Sequence, residues 1–167
     1  MTHKTGRIAG SLIILTAATF ALALTAGARS LRFTAHLSGK AQVPKKIDTK
    51  ATGTAVFRLS KDGKELSYKL TVRDIDNITM AHIHMAPVNK NGPPVVWLYP
   101  SRGMAPQQKP GKFSGILSEG KITAGDLIGP LAGKPLGALM DAIKSGDMYV
   151  NVHTVAYPDG EIRGQIR

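Results

Sequence analysis

Apolar and polar residues alternate along most of this chain in short stretches of five to nine residues, which is the period of a β-strand with one buried face. Leu31, Phe33, Ala35 and Leu37 share one side of the stretch from Leu31 to Ser38. Thr52 to Ser60 follows, and Leu66, Tyr68, Leu70 and Val72 form the apolar side of a return strand. Further strand-like stretches run from Ile78 to Met85, Val95 to Tyr99, Phe113 to Ser118, Met148 to Val155 and Glu161 to Ile166.

Turn chemistry separates these stretches. The 28 glycine and proline positions fall mostly between them, and such punctuation marks hairpins and loops. Lys61-Asp62-Gly63-Lys64 reads as a hairpin turn, Asp74 to Asn77 as a polar turn, and Asn89-Lys90-Asn91-Gly92-Pro93 as a break before a very apolar strand. Ser101 to Lys112 is loop by composition, and Tyr157-Pro158-Asp159-Gly160 closes a final hairpin. Two short helices fit the connections. One starts at Thr123 as N-cap; the other spans Leu136 to Lys144, with apolar residues at 136, 139, 140 and 143 and a stop at Gly146. The pattern predicts an all-β domain: a Greek-key-like sandwich or barrel of about eight strands with one or two short helices.

The first 28 residues break the alternation. A basic start (His3, Lys4, Arg7) precedes an uncharged, almost wholly apolar run from Ile8 to Leu24, and Ala26-Gly27-Ala28 gives a small-x-small cleavage pattern. This is the layout of a secretory signal peptide, with residues 29–167 as one domain and no membrane span remaining after cleavage. The alternative is an uncleaved N-terminal membrane anchor, because the run approaches the ~20 residues that cross a bilayer. No cysteine follows the run, which excludes a lipid-anchored lipoprotein. A secreted or periplasmic location follows from the signal reading.

Composition then narrows the chemistry. The chain has no cysteine, so no disulfide can staple it, and a metal site must use nitrogen, oxygen or methionine sulfur. Its net charge is +11, of which Lys4 and Arg7 carry two. Such an excess fits an anionic envelope or matrix surface as partner, or a generally basic surface with no specific partner. The basic residues are scattered and no aromatic residues interleave with them, which argues against nucleic acid. Oligomeric state is not legible.

Three of the five histidines, His82, His84 and His153, sit in two strand-like stretches far apart in the chain. His82 and His84 are two apart, so they point to the same side about 6–7 Å from each other along the strand. Tyr149, Asn151 and His153 share one side of the later strand, opposite Val150 and Val152. If the two strands pair, His82, His84 and His153 converge as a three-imidazole site suited to copper or zinc, with a position open for water or substrate. The structural alternative is a polar cluster in which His82 and Asn151 fix strand register. Glu161 and Arg163 lie on one strand side and could pair with each other or orient a histidine. Asp74 and Asp76 read as turn chemistry rather than a calcium loop. Met80, Met85, Met104 and Met148 are potential soft ligands for Cu(I), with core packing as the competing role and Met85 facing the core opposite His84. No nucleophile or acid–base spacing is recognisable.

The motifs resemble the chordin-type (CHRD) domain. Phe33 to Gly39, Gln42-Val43-Pro44 and the stretch from Thr49 to Phe57 with Gly53 match its opening; Ala81-His82-Ile83-His84, Asn91-Gly92-Pro93, Gly146, Tyr149 to Thr154 and Tyr157 to Gln165 match its later motifs. Lys45-Lys46 departs from the family's usual uncharged turn. The resemblance implies an immunoglobulin-like or barrel-like β fold. In animals the domain sits in a secreted growth-factor antagonist; in bacteria it occurs as a secreted single domain without assigned activity. The histidine spacing also looks like the copper site of copper–zinc superoxide dismutase, by which His82, His84 and His153 would correspond to copper ligands. That family's bridging histidine, zinc loop and disulfide have no counterpart here.

Three functions are therefore expected, in order: an exported binding module with a mononuclear three-histidine copper or zinc site; an envelope or extracellular scaffold domain with structural histidines and no metal; and a mononuclear copper redox enzyme.

Overall fold

The computed structural model describes Met1 and residues 30–100 and 108–167; apart from Met1, the signal peptide expected over residues 1–28 lies outside that range, as do the start of the 101–112 loop and Met104. Seven strands form one antiparallel sheet: β1 (Arg32–Ser38), β2 (Thr52–Leu59), β3 (Leu66–Met85), β4 (Pro94–Tyr99), β5 (Lys109–Ile122), β6 (Met148–Thr154) and β7 (Ile162–Gln165). The order β2-β1-β7-β6-β3-β4, with β5 on β3 and a further β2–β3 pairing, closes the sheet into a barrel.

The closure depends on β3. Its first half pairs with β2, from Thr52 opposite Arg73 to Leu59 opposite Leu66, and its second half pairs with β6, from Ile78 opposite Thr154 to Met85 opposite Met148. Asp74 to Asn77, which reads as a turn in the sequence, is a bend inside this 20-residue strand. Asp74 and Asn77 take φ of 51° and 50° there, a left-handed conformation that Asp and Asn tolerate better than most residues. The strand count is seven because the two stretches on either side of that bend are continuous. The same bend receives β5, whose Lys109 and Lys112 pair with Ile78 and Asp76. Those residues were expected to be loop; their ladder partners were not visible in a glycine- and proline-rich stretch.

Alternation places the core inside the barrel. Ala35, Ala55, Phe57, Leu70, Val72, Ile83, Val150, Val152 and Ile162 are fully buried. The single α-helix, α1 (Leu136–Lys144), buries Leu136, Leu139, Met140 and Ile143, the four positions given by its spacing. It stops at Gly146, which takes φ of 80°. The helix expected at Thr123 is a 3₁₀ turn over Ala124–Asp126, closed by a reciprocal capping box between Thr123 and Asp126. Among the described residues no helix is long and apolar enough to cross a membrane.

Candidate metal centre

β3 and β6 are neighbours, and their register sets Met80 opposite His153, His82 opposite Asn151, and His84 opposite Tyr149. Ala81, Ile83, Val150 and Val152 point into the barrel, so alternation puts the histidines on its outer wall. That wall is not open to solvent. His82, His84 and His153 are 4%, 8% and 7% exposed, because two loops fold over them and β4 brings Trp97 against His82, with ring centroids 4.1 Å apart.

The three imidazoles converge. One nitrogen from each lies within 4.8 Å of the other two. Three points no farther apart than 4.8 Å fit inside a circle of about 2.8 Å radius, against metal–nitrogen bonds of about 2.0–2.1 Å. An inward shift of about 0.7 Å per ring therefore suffices to bind an ion.

Backbone carbonyls orient two of the rings. His84 donates from Nδ1 to the Gly92 carbonyl at 2.9 Å, and His153 donates from Nδ1 to the Pro158 carbonyl at 2.8 Å. Both Nε2 atoms are thereby left as lone-pair acceptors. His82 Nδ1 lies 3.3 Å from His153 Nε2, so His82 is the donor in that contact and its own Nε2 also carries a lone pair. The Nε2 atoms of His82 and His84 are buried with no hydrogen-bond partner, which is uncommon and costly for buried polar atoms.

The rings are held neutral. Burial pushes His82 down to about 3, helped by His153 and His84 nearby. Burial also takes His84 down to about 4, partly opposed by its bond to Gly92 and assisted by His153 and Arg163. His153 is lowered by burial against the opposing effects of Pro158 and Asp159. At neutral pH the cluster therefore presents lone pairs, the form a metal requires.

The surrounding residues fix the two loops rather than the rings. Asn151 accepts a hydrogen bond from Gln42 Nε2 at 2.7 Å and donates to the Asp159 carbonyl at 3.1 Å. It thus holds the turn that carries Pro158. Gly160, at φ of 121°, packs against the Asn151 amide so closely that a Cβ would collide with it. Arg163 is 2% exposed and donates to Asn91 Oδ1 and the Lys90 carbonyl, which holds the other loop. Its guanidinium lies 3.5 Å from the centre of the Tyr149 ring, and that ring stacks on His84 at 5.0 Å and 14°. The Tyr149 hydroxyl accepts the Gly92 N–H at 3.2 Å.

Glu161 and Arg163 do not pair with each other or with a histidine ring. Glu161 accepts hydrogen bonds from Thr49 and Thr154, and the ring-orienting acceptors are the Gly92 and Pro158 carbonyls. A backbone acceptor leaves no side-chain signal in sequence. Tyr149 was legible on the shared side of its strand, whereas Trp97 emerges only once β4 pairs with β3. Asp74 forms an exposed ion pair with Lys112 at 3.3 Å and belongs to the β3 bend.

The CHRD domain model matches residues 33–166. No curated protein and no solved structure matches the chain. The match spans all seven strands but the first residue of β1, and includes the whole histidine cluster. The chain belongs to the CHRD-domain family.

Proposed function

We propose that this CHRD-domain protein is an exported metal-binding module that holds one copper or zinc ion between His82, His84 and His153. One observation carries the reading: three neutral imidazoles converge, and two of their buried lone pairs have no partner. A cluster serving only the fold would be expected to satisfy those atoms. The ligand type suits copper or zinc; magnesium and calcium would call for carboxylate oxygens. Calorimetric titration of metal-free protein with Zn(II) and Cu(II) tests it. One ion per chain, bound more tightly than about millimolar and lost when all three histidines become alanine, is expected. Weaker binding, or binding that survives the triple substitution in a folded variant, would overturn the proposal.

A second reading rests on charge. Arg32, Lys40, Lys45, Lys46, Arg58 and Lys134 are among many exposed basic residues on a chain of net charge +11. Such a surface would adsorb to an anionic envelope or matrix, and more weakly as salt rises. Sedimentation with anionic and neutral vesicles at two salt concentrations checks this; equal binding to both, or none, would contradict it.

A further inference from the structure

The site's donors carry no charge. Its three ligands are neutral imidazoles, and Glu161, the buried carboxylate nearest in sequence to His153, is engaged by two threonine hydroxyls. Asp159, which bears on His153, is exposed. The charge buried against the cluster is positive: Arg163 lies on Tyr149 and opposes a cation at His84. The Born cost of burying an ion rises with the square of its charge. A buried, neutral site beside a guanidinium therefore favours a monovalent ion over a divalent one.

A soft donor stands at the same place. Met80 is paired directly with His153, and alternation with Ala81 puts it on the side that carries His82 and His84. Directly opposed residues have Cβ atoms about 4.5–5.5 Å apart, within reach of a methionine side chain. Among the described residues, Met140 and Met148 are buried in the core and Met85 packs against it. Met80 is half-buried and belongs to neither group. Thioether sulfur is a ligand for Cu(I), whereas zinc prefers nitrogen, thiolate and carboxylate.

We infer that the three-histidine site selects monovalent copper and that the Met80 thioether supplies its fourth donor. This rests on the metal-binding reading above and adds to it the identity and valence of the ion and one further ligand.

Anaerobic titration against a chromophoric Cu(I) chelator, beside a Zn(II) competition, separates the two claims. Cu(I) is expected to bind at least a hundredfold more tightly than Zn(II). Met80→Leu, which keeps the side-chain volume, should weaken Cu(I) at least tenfold and change Zn(II) less than twofold. X-ray absorption of the Cu(I)-loaded protein should show one sulfur neighbour; with no cysteine in the chain, that sulfur must be methionine. The wild-type spectrum gives this readout even if Met80→Leu fails to fold. Zinc bound as tightly as Cu(I), an all-nitrogen shell, or unchanged Cu(I) affinity in folded Met80→Leu would overturn the inference while leaving the histidine site standing. Failure of both metals to bind would remove both.

Discussion

His82 Nδ1 lies 3.3 Å from His153 Nε2, although 71 positions separate the two residues in the chain. Two nitrogens on a tetrahedral ion with bonds of about 2.0–2.1 Å stand about 3.4 Å apart, so the pair has the spacing of adjacent ligands and takes up an ion there once the His82 proton moves from Nδ1 to Nε2. His84 completes the set from the same strand as His82. The pairing of β3 with β6 creates the cluster, and two backbone carbonyls aim it.

Acid should loosen the metal-free fold through these rings. His82 and His84 are lowered to about 3 and about 4, while the unfolded chain titrates near about 6.5. Below that value the unfolded state binds protons that the folded state refuses. Their contribution to stability is thus complete above about pH 6.5 and is lost as pH falls towards about 3–4. Urea unfolding from pH 7 to pH 4.5 should show a falling midpoint. Replacing His82 with asparagine should flatten that slope, and an unchanged slope would contradict the assignment.

Gly92→Ala should damage both fold and site. A Cβ there would run into the Met85 backbone carbonyl, and Gly92 holds His84 and Tyr149 through its two backbone polar groups. A loss of about 2 kcal/mol or more is expected in denaturant unfolding. Gly137→Ala is the control: it lies exposed in α1 with open space around it, and it should gain up to about 1 kcal/mol. Equal effects at the two positions would contradict the packing argument.

Arg163→Lys should not be conservative. The guanidinium donates to Asn91 and Lys90 from separate nitrogens while lying on Tyr149, a combination that an ammonium cannot reproduce. A loss of about 1–3 kcal/mol in thermal or denaturant unfolding is expected. A change within about 0.5 kcal/mol would show that the loop is held elsewhere.

Trp97 is the only tryptophan in the chain, and its ring sits 4.1 Å from that of His82. Cu(II) at one equivalent should quench most of its fluorescence, and Zn(II) should not. Quenching that persists after all three histidines are replaced would place the copper elsewhere.

The all-β class, the α1 face at Leu136, Leu139, Met140 and Ile143, and the final hairpin were legible because they depend on local periodicity and turn chemistry. The same-side placement of His82 with His84 was legible for the same reason. Convergence with His153 was not, since strand pairing is a long-range choice that alternation alone leaves open. Asp74 to Asn77 misleads because a bend and a turn use the same residues; only the ladders on both sides of it distinguish them. The carbonyls of Gly92 and Pro158 escape sequence reading altogether, and of the two roles open to Glu161 and Arg163, structural or ring-orienting, their hydrogen bonds are structural ones.

The central claim is that these three histidines meet in order to hold an ion. Anomalous diffraction at the metal absorption edge, from crystals of protein loaded with one equivalent of copper or zinc, tests it most directly. A single anomalous peak bonded to nitrogens of His82, His84 and His153 is the expected result. No peak between those rings, or one at another surface, would contradict the account.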